Sequence, residues 1–318
     1  LSIHIRNVQA IIIRYSTFQK VSSNCNGALH IYNSSFIEIA RCLFSSNQSP
    51  YIGGAVSISE AQDLSILRST FVNNTAHSGS AIGLHRVNSS RIEDSYFVSN
   101  AARYAGTVYW IVEDMRHSPP AIGCSSYLYS EAIYTKMSNL FLLCFRNNSA
   151  GGYGPDLASS YNTSILRPGH ILVTTYKSGS YPLQIQITSV DYYGQVIPYD
   201  KDSGMVKARC SKTAEAYADC GGNTPELLGE VSSTFENGTS YFRRLGARCR
   251  PGRRMIVYLE LSLGQVINLL LEETWRKYLY SHEIYFRRCV RGEIFDISSV
   301  GQSACTLCIN SYSLYDFS

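Results

Sequence analysis

The sequence predicts an all-β chain that opens as a right-handed parallel β-helix. Three observations carry this. A Phe-x-x-Asn motif returns about every 26 residues, short runs of alternating polarity lie between its copies, and no helical spacing is sustained over the same stretch.

The motif occurs as Phe44-Ser-Ser-Asn47, Phe71-Val-Asn-Asn74, Phe97-Val-Ser-Asn100 and Phe145-Arg-Asn-Asn148. An earlier copy begins at Phe18, with Val21 in the asparagine position. A small-residue motif follows the first three: Gly53-Gly54-Ala55-Val56, Gly79-Ser80-Ala81-Ile82 and Ala105-Gly106-Thr107-Val108. Between motifs run strand-sized segments of period two, such as Phe36-Ile-Glu-Ile39 and Leu64-Ser-Ile-Leu67. Three short strands in so few residues cannot bury a core alone. They can form one coil that stacks on the next at about 4.8 Å. Each Phe is then expected to stack in the lumen. Each Asn is expected at a tight left-handed corner, with its amide laddering between coils. The interval from Phe97 to Phe145 is longer than the others and predicts either two coils or one coil with an insertion, irregular around 115–130.

The repeat is expected to end near Asp156, with 159–164 and Pro168-Gly169 as a linker. Strand-sized runs follow at Leu183–Ile187, Met205–Ala208, Leu228–Val231, Gly238–Phe242 and Ile256–Leu261, separated by turn residues. That spacing predicts a β-sandwich over 170–270. The segment 280–318 holds Cys289, Cys305-Thr-Leu-Cys308 and Tyr312-Ser313, and reads as a cysteine-rich module that the chain enters without completing. On this reading the chain is an interior piece of a longer protein.

Composition narrows the compartment. Only 16% of residues are charged and the net charge is +4, which argues against nucleic acid as a partner. Met255 to Leu271 is the most apolar run. Glu260, Gln265 and Asn268 interrupt it, so no membrane span is expected. Ten cysteines and sequons at Asn33, Asn47, Asn73, Asn88, Asn147, Asn162 and Asn237 point to a disulfide-bonded, N-glycosylated chain outside the cell.

The paired Phe-x-x-Asn and Gly-Gly-Ala-Ile signals over about 1–160 resemble the polymorphic outer membrane protein repeat of chlamydial adhesins and of large algal and protist surface proteins. That resemblance implies adhesion or surface display. The order strand, Asp191-x-x-Gly194, strand, Pro251-Gly252, strand is similar to filamin-like and invasin-like immunoglobulin folds, with Pro251-Gly252 before the last strand. The final cysteines resemble the ephrin-receptor-like module, although Ser311 or Asn310 stands where a glycine usually precedes Tyr-Ser. This implies a Cys289–Cys305 pair, with Cys308 bonded beyond the segment. The resulting expectation is a right-handed parallel β-helix, an Ig-like β-sandwich and the start of a disulfide-rich module.

Catalysis is not expected. Glu38, Asp63, Glu93 and Asp94 stand at different offsets from their Phe and do not stack into the close carboxylate pair of a glycosidase. The seven histidines form no His-x-x-x-His, and Cys305-x-x-Cys308 lacks the second pair a zinc site needs, so neither a metal nor a cofactor is predicted. Residues 241–318 carry 11 basic and 7 acidic side chains. Arg243, Arg244, Arg253 and Arg254 are the candidate interface with an acidic surface. The sequence thus points to a structural or adhesive extracellular glycoprotein that associates with its own copies, or with other glycoproteins, into a cell-surface fibre, coat or flagellar hair. A carbohydrate-binding or polysaccharide-cleaving β-helix and a receptor ectodomain are the alternatives.

Overall fold

The structure is a computed structural model that describes residues 2–111, 119–124, 144–169, 176–198, 204–210, 220, 225–263, 278–297 and 303–307. It divides into two units, Leu1–Thr163 with Ser189–Ile197, and Ser164–Thr188 with Pro198–Ser318.

The first unit is a parallel β-solenoid of about four turns. Its broad sheet stacks β1 (Ile3–Arg14), β3 (Leu29–Ala40), β5 (Val56–Leu67), β8 (Ile82–Glu93), β11 (Val108–Ile111) and β15 (Leu157–Ser159) in that order, with β12 (Ala121–Gly123) also on β8. A second sheet stacks β2 (Thr17–Gln19), β4 (Leu43–Ser45), β6 (Thr70–Val72), β9 (Tyr96–Val98) and β13 (Phe145–Arg146). A third contains β7 (Thr75–Ser78), β10 (Ala101–Ala105) and β14 (Ser149–Ala150).

The predicted phenylalanine column is present. Phe18, Phe44, Phe71, Phe97 and Phe145 are in register, their rings 4.7–4.9 Å apart and within 8° of parallel. Ile31, Ile37, Ile39, Ile58 and Ile66 fill the lumen beside them. Phe97 stacks directly on Phe145, so the long interval is one coil with an insertion. The Cys124–Cys144 disulfide closes that insertion at its base.

The asparagine prediction needs one correction. Asn47, Asn74, Asn100 and Asn148 do ladder between coils, but the left-handed residue is the one before each: Ser46, Asn73, Ser99 and Asn147. Turning the backbone one residue earlier aims the next side chain inward, where an amide can bond its neighbours above and below.

Each coil has further left-handed corners. One series is Asn7, Asn33, Glu60 and Arg86; another is Tyr15, Arg41, Arg68 and Asp94. Such a conformation costs a non-glycine residue about 1–2 kcal/mol. Here the side chains pair between coils: Asn33 Nδ2 donates to Asn7 Oδ1, Arg86 reaches Glu60, Arg41 reaches the Tyr15 hydroxyl, and Arg68 lies 3.9 Å from Asp94. In the small-residue motif the left-handed corner falls on glycine, at Gly27, Gly53, Gly79, Gly106 and Gly154. At Gly53 a Cβ would run into the Val56 carbonyl.

The second unit is antiparallel. Its sheet order is β16 (Tyr161–Gly169), β17 (Ser180–Asp191), β21 (Thr239–Arg248), β20 (Ser232–Glu236), β18 (Gly204–Cys210), β22 (Arg254–Leu263), β23 (Tyr278–Tyr285), with β19 (Glu226–Gly229) on β21. Ile185, Ile187, Phe235, Phe242, Met255, Val257, Leu259 and Ile284 are buried, and Cys220 bonds Cys249. Two expectations change here. The proposed linker contains β16, because Pro168 is tolerated on an edge strand, where a missing N–H breaks no ladder. The strand after Pro251-Gly252 is not the last, because β23 pairs along β22 beyond residue 270. A hairpin of β24 (Glu293–Ile297) and β25 (Ser303–Leu307) carries the Cys289–Cys305 disulfide. Cys308 and Tyr312-Ser313 lie outside the described residues.

Candidate interaction surfaces

The two ends of the solenoid are built differently. At the far end, residues 189–197 fold over the last coil. Asp191, 1% exposed, accepts from the backbone N–H groups of Ser159, Tyr193 and Gln195 and from Gln195 Nε2. Gln195 Nε2 also donates to the Leu157 carbonyl, and Tyr192 meets Trp110 edge-on. The sequence placed Asp191-x-x-Gly194 in a turn, which it is. Its packing belongs to the β-helix, where it satisfies the edge of β15. Burial pushes the Asp191 carboxyl up, and its N–H donors pull it part of the way back. The asparagine ladder also ends in a built stop: Asn148 Nδ2 donates to Asp156 Oδ1 at 3.1 Å, so an aspartate supplies the oxygen a further asparagine would have offered.

At the near end no described residue covers β1 or β2, each the terminal strand of its sheet. Ile3 and Val8 continue the inward columns Leu29–Val56–Ile82 and Ser34–Ala61–Val87, yet they are 46% and 38% exposed because no described residue lies over them. Ile12 is exposed for another reason. It occupies an outward position that later coils fill with Glu38, Ser65 and Arg91. The ladder stops at Val21, which offers Asn47 Oδ1 only its backbone N–H. Phe18 is packed on one face and half-buried.

The first two coils also hold a pair the sequence reading missed. His4 and His30 are register partners, with Nδ1 atoms 3.4 Å apart. Burial, then His4 and Arg6, push the His30 imidazole down to about 4.

The predicted sequons separate by placement. Asn33, Asn73, Asn88, Asn147 and Asn237 are exposed. Asn47 is 1% exposed, and its Nδ2 donates to Asn74 Oδ1 and to the Phe18 carbonyl, a geometry that leaves no room for a glycan. The Asn162 side chain lies outside the described residues. The predicted arginines are exposed but not gathered. Arg243 and Arg244 lie on β21, Arg253 and Arg254 at the start of β22, with β20 and β18 between those strands. Arg254 is held by Glu283 at 2.7 Å. The acids weighed for catalysis pair with arginines: Glu38 with Arg14, Glu93 with Arg91, Asp94 with Arg68. Asp63 is exposed.

A second ladder also escaped the sequence reading. Ser16, Cys42, Ser69 and Ser95 each stand two residues before a stacked Phe. The Ser69 and Ser95 hydroxyls accept the backbone N–H groups of Cys42 and Ser69 from the coil before. In the coils of Phe44, Phe71 and Phe97 the full motif is therefore Ser/Cys-x-Phe-x-x-Asn, readable at fixed spacing, whereas Leu143 holds that place before Phe145. No helix among the described residues is long and apolar enough to cross a membrane. No protein-family model, curated protein or solved structure matches the chain.

Proposed function

We propose that this chain is a structural or adhesive module of an extracellular glycoprotein that associates with further copies of itself. The solenoid carries the proposal: its coils repeat one unit in register, and their outer faces expose large apolar side chains, among them Ile12, Tyr15, Phe36 and Tyr96. Exposed apolar side chains gathered on a regular surface suit contact with another protein surface. Three disulfides among the described residues suit an oxidising exterior. The product would be a surface fibre, coat or flagellar hair.

The polymorphic-outer-membrane-protein, Ig-like and ephrin-receptor-like readings of the three regions belong to the same proposal. Supporting them are the stacked Phe–Asn coils, the antiparallel sheet after them and the Cys289–Cys305 bond.

Sedimentation velocity across a concentration series tests the central claim. Association that grows with concentration and falls in Ile12→Lys and Phe36→Lys is the expected result. A parent chain that stays monomeric at the highest attainable concentration overturns it. A polysaccharide panel, read for binding and for new reducing ends, tests the carbohydrate alternative.

A further inference from the structure

We propose that His4 and His30 form a two-imidazole site for a divalent ion of the zinc, nickel and copper class. The solenoid register creates the pair: His4 on β1 lies directly opposite His30 on β3, one coil apart. Their Nδ1 atoms are 3.4 Å apart and their rings meet at 84°. Two nitrogens bound to one tetrahedral ion at about 2.0–2.1 Å stand about 3.4 Å from each other. The competing account is a direct N–H···N bond between the rings. It fits less well, because 3.4 Å is beyond the usual range for a nitrogen donor, about 2.7–3.2 Å.

A second contact supports the metal account. The Ser2 hydroxyl lies 2.9 Å from His4 Nε2. If it accepts the Nε2 proton, His4 is held in the tautomer whose Nδ1 lone pair faces His30. This is the outer hydrogen bond that orients ligating histidines generally. In the next two coils the column continues as Ser57 and Gly83, so among the described coils only the first two offer the pair. Water fills the remaining coordination positions. Arg6 lies close enough to act on His30 electrostatically, and its charge opposes the ion. The affinity is therefore expected to fall below that of a closed four-ligand site.

Calorimetric titration of the chelator-treated chain with zinc at pH 7.5 tests this. The expected result is one saturable equivalent, lost in His4→Ala and in His30→Ala, weakened about tenfold in Ser2→Ala and kept in His77→Ala. Zinc should raise the melting temperature of the parent and leave that of the two histidine variants unchanged. Should His30→Ala fail to fold, the exposed His4→Ala decides alone. Absence of saturable zinc uptake by the parent overturns the site. So does uptake undiminished in His4→Ala.

Discussion

The first and last coils of the solenoid contain the same elements and treat them oppositely. In the last coil two repeating features are brought to a stop: Asp156 accepts a hydrogen bond from the amide of the final asparagine, and Asp191 accepts from the Ser159 N–H of β15. In the first described coil no residue plays these parts. Val21 has no amide to extend the ladder, Phe18 has a partner on one face only, and the β1 edge is bare. A stacked fold is stabilised by neighbours, so its energy per coil is set by how many sides are occupied. Closing an end requires residues that imitate the missing neighbour, and aspartate does this twice here.

The largest effect expected from testing this contrast concerns the aromatic column. Phe71→Ala, in mid-stack and 0% exposed, should cost about 3–5 kcal/mol, whereas Phe18→Ala should cost roughly half that. Urea unfolding of both variants measures the ratio, and equal losses would mean that the first coil is covered in solution. Next comes the closed end. Asp191→Ala leaves three backbone donors short of an acceptor and should cost about 3 kcal/mol by the same assay. Extending the ladder has the opposite sign: Val21→Asn supplies the absent amide at the open end and should stabilise by about 1 kcal/mol.

The smallest effect is electrostatic. The folded His30 imidazole titrates near 4, below the ordinary value of 6.5, so the unfolded chain takes up the proton first. Stability should therefore decline as pH falls from 6.5 towards 4 and level off below. His30→Gln should flatten that part of the thermal-melt profile.

Much of the β-helix was legible because a stacked fold writes its contacts at one interval. Phe44, Phe71 and Phe97 announce themselves at a fixed step, and their asparagines follow. The corners were not legible. Tyr15, Arg41 and Lys20 are poor candidates for left-handed backbone on intrinsic grounds, and only cross-coil pairing explains most of them. The histidines looked scattered because they were tested at helical spacing. Measured against the coil length, His4 and His30 are neighbours. Asp191 was read correctly as a turn residue, but its contact with Ser159 spans 32 residues and follows no repeat, so nothing local could assign it to the solenoid. β16 was hidden by Pro168-Gly169, which marks a break anywhere except at a sheet edge. Arg243 and Arg254, close in sequence, stand on β21 and β22 with two strands between them, a separation that sequence order does not convey.

The Cys124–Cys144 bond has a consequence for how such a chain can diversify. Phe97 and Phe145 stack 4.7 Å apart, although 48 residues separate them, as closely as pairs 26 or 27 residues apart. The ring spacing is thus the same for a return path of 48 residues as for one of 26 or 27, so a coil of this kind can lengthen between two stacked phenylalanines without widening the stack.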